Sequence, residues 1–211
     1  MALGYITGKA SSRILNTELN LPLLLVASVI PDVDLVLQSV NEGLFMHRGP
    51  PHSIITFTAL MIPFFIIYRK KAIPYYAALL SHSLIGDYFT GGIEMLWPIS
   101  NRWYGFADVE MTTLAPMTAE IVLFAFTLVL MVKAKDMQTL FKPKSSNLWL
   151  IIAFGTVLGP MLDIGLDGFH GSFKLLLLAP SIFFLLLFGY SIVIGLRTRK
   201  NASPKATNDS G

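Results

Sequence analysis

The chain has 211 residues, 54% of them hydrophobic and 14% charged, with a mean hydropathy of +0.62. Soluble globular domains carry about 25% charged residues, so this composition excludes an ordinary soluble enzyme and points to a polytopic membrane protein. The absence of cysteine excludes disulfides, thiolate zinc sites and cysteine nucleophiles. The net charge of +3 is scattered over short loops, which makes it a topology signal and predicts no nucleic-acid partner.

In chain order, Leu3 to Leu15 is a mildly amphipathic stretch carrying Lys9 and Arg13, expected to be a surface or packing helix. Leu21 to Leu37 is the first candidate span, interrupted at Pro31, where the missing backbone donor predicts a break near Ile30. Ser53 to Tyr68 and Ala72 to Thr90 are the second and third. The aromatic-rich loop from Gly91 to Pro116 suits a cap at the membrane interface. Met117 to Val132, Leu148 to Leu166 and Leu175 to Leu196 complete an all-α bundle of about six spans. Residues 1–196 form one integral-membrane domain, and the polar tail 197–211 is expected to be disordered. Nothing at the start resembles a cleavable signal peptide.

Orientation follows from the 16 Lys and Arg residues. With the N-terminus inside and the spans alternating, only Arg48, Arg102 and Lys174 fall outside. This positive-inside bias predicts cytoplasmic termini. Asp32, Asp34, Asp87, Glu94 and Asp108 fall instead at or near the outer face.

Three polar islands sit in the oily first half: Pro31-Asp32-Val33-Asp34, His47-Arg48-Gly49-Pro50-Pro51-His52-Ser53, and Ser81-His82 followed by Asp87. They hold three of the four histidines, and the predicted topology carries all three islands to the outer face. Buried ionisable groups in an apolar setting need partners or a cation. Asp32, Asp34, His47, His52, His82 and Asp87 are therefore candidate metal ligands. Each also has a simpler explanation. Asp after Pro suits a helix end, and a His–Asp pair can be purely structural.

Asp32 and Asp34 share a cavity only if the chain unwinds after Pro31. Pro50-Pro51 predicts an extended, stiff approach that pre-positions His47 and His52. Arg48 suits an anionic substrate group, or else an ion pair with Glu42 or lipid phosphate. Ser53 is expected to cap a helix, and Thr90 to support a ligand. His82 and Asp87 are five apart, which on a regular helix leaves them roughly 140° apart. The spacing predicts a π-type bulge near Gly86 or a helix end before Asp87. Asp163, Asp167 and His170 form a satellite set, with a loop edge the commoner explanation.

These islands, continued by Thr90 and by Leu96-Trp97-Pro98, resemble the family of membrane-bound metal-dependent hydrolases also called the LexA-binding inner-membrane family. The resemblance covers roughly the first half of the chain. That family often has a His in its first helix, where Gly4-Tyr5-Ile6-Thr7-Gly8 has none. Its third island is usually one residue shorter, and Thr usually stands where this chain has Pro51.

The resemblance implies a hydrolase in the plasma (inner) membrane using a divalent metal, zinc or manganese. A spare carboxylate such as Asp34 would take a proton, Arg48 would hold an anionic group, and the substrate would be a lipid, amphiphile or phosphoester. A cation- or proton-coupled transporter is the alternative from another class, since Asp and His in spans also line ion paths. A non-catalytic metal-binding member is the third.

Overall fold

The computed structural model describes residues 1–38, 46–106, 114–166 and 172–202; among these the regular elements are all helices, with no β-strand. Helix α1 (Ala2–Ile14) packs against α2 (Leu21–Ala27) and α5 (Ile73–Ser81). Gly4 and Gly8, one turn apart, permit this approach. A Cβ on Gly4 would overlap Ser28, and one on Gly8 would meet Leu24 and the Pro74 carbonyl, at 2.9 Å. Tyr5, between them, is fully buried and donates to Asp136 Oδ2 at 2.7 Å. The N-terminal stretch is thus a packing helix.

Asn20 caps α2, its side chain accepting from the Leu23 amide. The helix stops at Ala27, and a 3-10 turn over Ile30–Asp32 leads into α3 (Val33–Leu37). Pro31 imposes the expected break. Helix α4 (Ile54–Tyr68) is capped by Ser53 and joined to α5 by a 3-10 turn at Arg69–Ala72. After α5 the chain widens into a π-helical turn, His82–Gly86, then tightens into a 3-10 turn, Asp87–Phe89. Helices α6 (Leu114–Lys133) and α7 (Asp136–Leu140) are separated by a turn with Lys135 at φ +59°. Helices α8 (Leu150–Leu166) and α9 (Ser172–Ala202) pack on each other.

One core, including Leu24, Leu25, Phe57, Ala78, Met131, Leu150 and Phe188, links these helices. The cap loop folds onto the second island: Ile93 and Tyr104 exchange amide–carbonyl bonds at 2.9 Å, and Glu94 N donates to Arg48 O at 3.0 Å.

Among the described residues one helical stretch, Leu178–Arg199, is long and apolar enough to cross a membrane by itself. The expected spans Leu21–Leu37 and Ala72–Thr90 are instead short helices joined by irregular turns, because Pro31 and the His82–Phe89 segment interrupt them. The tail boundary also moves, since α9 continues through Arg197 to Ala202.

Candidate metal centre

The irregular turns place the polar residues. In the 3-10 turn after Pro31, Asp32 is half-buried and Asp34, in the first turn of α3, is completely buried. The second island is a 3-10 turn at Pro50–His52, not the extended approach expected. Proline's fixed φ suits a 3-10 turn equally well, and His52 N donates to Gly49 O at 2.9 Å. Arg48 adopts φ +65°, and its amide donates to Asp34 Oδ2 at 3.1 Å. In the third island the π turn swings Asp87 round to His82, bringing Asp87 Oδ2 within 3.3 Å of His82 Nε2. The five-residue spacing is thereby accommodated.

All six candidate ligands converge, in two groups that share His52: Asp32, Asp34, His47 and His52; and His52, His82 and Asp87. His47 Nδ1 lies 3.2 Å from Asp34 Oδ1, and His52 Nδ1 lies 3.2 Å from Asp34 Oδ2. On its other side, His52 Nε2 lies 3.3 Å from Asp87 Oδ2 and 3.6 Å from Asp32 Oδ1.

His82 decides the electrostatics. Its Nδ1 lies 3.1 Å from the Ser28 carbonyl, which can only accept, so Nδ1 carries the proton. In the neutral ring Nε2 is then a lone pair, yet it faces Asp32 Oδ1 at 3.0 Å and Asp87 Oδ2 at 3.3 Å. That arrangement is repulsive unless a cation, proton or metal, lies among the three. Buried His52 Nε2 and Asp87 Oδ2, 3.3 Å apart, have no hydrogen-bond partner of good geometry, and a cation between them would satisfy both. Burial disfavours a charged His52, but the Asp32, Asp34 and Asp87 carboxylates outweigh it and raise its pKa to about 9. Oxygen and imidazole donors suit a divalent metal such as zinc or manganese.

The supporting residues are accounted for in the same way. Arg48 donates to Thr90 O at 2.9 Å and Thr90 Oγ1 at 3.2 Å, with Nε 3.8 Å from Asp87 Oδ1. Its guanidinium therefore ties the second island to the turn that carries Asp87. Ser53 Oγ caps α4 and lies 2.7 Å from Trp97 O, clipping the cap loop in place. Glu42, Asp167 and His170 lie outside the described residues, as does the side chain of Asp163.

A cavity of about 260 Å³ opens beside the cluster, lined by Asp32, Arg48, His82, Asp87 and Thr90 on one side and by Met1 to Gly4, Glu120 and Leu123 on the other. The sequence reading missed Glu120, although a lone acidic residue inside the run Met117 to Val132 is the signal that marks a functional carboxylate in a span. Helix α1 borders the cavity but adds no ligand.

An all-α protein with membrane character and a buried Asp/His centre able to hold a metal ion is the class these features define. The chain belongs to the YdjM inner membrane protein family, whose match spans residues 1–161 and so runs beyond the motif-bearing half into α8. This is the family of membrane-bound metal-dependent hydrolases that the motifs resemble. No curated relative and no solved structure matches the chain.

Proposed function

We propose that the protein is a multi-pass, membrane-embedded, metal-dependent hydrolase acting on an amphiphilic or phosphoester substrate. The observation that carries this reading is the His82 Nε2 lone pair facing two carboxylate oxygens beside an open cavity. Asp32, His52, His82 and Asp87 would hold the ion, and a bound divalent cation would polarise the scissile group and activate a water.

Asp34 is better suited to positioning than to proton transfer. It is completely buried, and its two oxygens face His47, His52 and the Arg48 amide. Through His52 Nδ1 it turns His52 Nε2 toward Asp32 and Asp87. Arg48 anchors the Asp87 turn and also borders the cavity, where its charge favours an anionic substrate group. With Asp32 and Asp87 holding the ion, the cavity-lining carboxylate left to accept a proton is exposed Glu120.

Membrane embedding is supported by apolar side chains turned outward on several helices, including Leu60, Ile62 and Ile66 on α4, Val122 and Phe126 on α6, and Leu186 and Val193 on α9. In water such a surface would be a liability.

Elemental analysis of the purified full chain tests the reading. Bound zinc or manganese is expected in the wild type, with loss in His82→Ala and Asp87→Asn. Glu120→Gln should keep the metal but lose hydrolysis of a model diester such as bis(p-nitrophenyl) phosphate. Unchanged metal in His82→Ala would overturn the site, and metal without any hydrolysis would leave a binding protein.

A further inference from the structure

A second cavity of about 160 Å³ adjoins the first and shares Met1, Ala2, Asp32 and Glu120 with it. Beyond those residues its walls are Val29, Phe124, Val157, Pro180 and Phe184, with Thr156 and Ser181 between them. They come from α6, α8, α9 and the turn after α2. The Thr156 hydroxyl donates to the Ile152 carbonyl at 2.9 Å, so apart from Ser181 this wall offers mainly carbon to an occupant. Val29, Thr156 and Phe184 are buried, and Phe124 and Phe184 meet edge to face with centroids 5.7 Å apart.

One end of this paired space is therefore ionic and the other oily, with Asp32 and Glu120 at the junction. That polarity is the polarity of an amphiphile. In volume alone it is close to the roughly 150 Å³ that accommodates benzene, which corresponds to about six carbons. From Ser172 to Phe184 α9 runs about 18 Å at 1.5 Å per residue, so the apolar pocket lies well inside the helix rather than at its end.

We propose that this second cavity is an alkyl-chain subsite. It receives the first ~six carbons of an anionic amphiphile drawn from the bilayer, whose head group lies at the Asp/His centre. Only the placement of the head group rests on the hydrolase reading; the chain subsite stands on the cavity itself. Because lipid tails are as apolar as the pocket, entry brings little hydrophobic gain, and the pocket selects by shape. Val157, Phe124 and Phe184 set the width of chain accepted.

The test is photo-crosslinking of the full chain in nanodiscs containing phosphatidylglycerol with a diazirine near the carboxyl end of its acyl chain. Labelling is expected at buried Val29, Thr156 and Phe184, in addition to bulk-lipid labelling at outward-facing Ile182 and Leu186. Hexylphosphonate should compete for the inner labels and methylphosphonate should not. Val157→Trp should remove the inner labels and keep the outer ones; the milder Val157→Met should reduce them. Labels confined to Ile182 and Leu186 in the wild type overturn the subsite, even if the protein binds metal. Inner labels that persist in a preparation with no detectable metal uphold the subsite while defeating the metal reading.

Discussion

His52 sits with carboxylates at both ring nitrogens, and this makes metal and proton rivals for one imidazole. With its pKa raised to about 9, His52 in the metal-free protein is an imidazolium balanced by Asp32, Asp34 and Asp87. A group whose folded pKa is raised stabilises the fold below its unfolded value of about 6.5 and loses that contribution as pH rises through about 9. A metal requires the neutral ring, so binding displaces that proton. Zinc or manganese affinity should accordingly climb up to about tenfold per pH unit between pH 6.5 and 9, and the gap in melting temperature between loaded and metal-free protein should widen. Calorimetric titration in buffers of different ionisation enthalpy checks this by counting released protons. A pH-independent affinity with no proton release would show that His52 is not a ligand.

Among the elements, α1 controls the centre without supplying a ligand. Its Gly4 lies against Ser28, whose carbonyl fixes the His82 tautomer. Gly4→Val should force α1 off this turn, destabilising the protein by about 1–3 kcal/mol through overpacking. It should also weaken metal binding, because Ser28 O would no longer hold Nδ1–H. The control is Ile14→Val, at an exposed position on the same helix, which should change neither. Melting curves and metal content of the two variants separate the effects; full metal affinity in a destabilised Gly4→Val would mean that Ser28 does not orient His82.

The π turn acts on the centre in the same indirect way. A regular helix through Gly86 would carry Asp87 away from His82, whereas the widened turn lets His52, His82 and Asp87 face one another. Deleting Ile85, to restore a regular helix and the four-residue spacing, should preserve metal binding far better than replacing Asp87 by Asn.

On the scale of the whole molecule, the ends of the helices sort by charge. The Asp/His centre and Glu120 gather at one end. Lys9 pairs with Asp136 at 2.6 Å, and Lys70 Nζ lies 3.4 Å from Leu15 O. Glu120 and Asp136 are sixteen residues apart, about 24 Å along α6 and its turn. The positive-inside bias of the sequence predicts cytoplasmic termini and a centre toward the outer face. A C-terminal reporter should read cytoplasmic, and a tag inserted at Asn101 should be reached by an impermeant reagent from outside. The opposite result at either position would move the centre to the inner face. Lys9→Met should lower stability by about 1.5–3 kcal/mol, since it removes a charged hydrogen-bond donor from buried Asp136.

The sequence alone determined the helical class, the polar islands and the need for an irregularity between His82 and Asp87. These rest on local physics: apolar runs, proline's missing donor, and the fixed angular step of a helix. It also carried the family, through motifs whose residue order survives without any structure. Only the tertiary structure decided which carboxylates face which imidazoles. Asp34 reads from the sequence as a ligand or base, but its two oxygens are engaged by the second island, a contact between segments thirteen and more residues apart. The 3-10 form of Pro50–His52 likewise escaped the sequence, because proline's φ permits both conformations and packing selects one. Glu120, Gly4 and Ser28 matter only because α1 and α6 close over the centre, and no local pattern encodes which helices become neighbours. Where a property depends on spacing along one helix the sequence suffices; where it depends on what the far side of a cavity presents, the packing of distant helices decides.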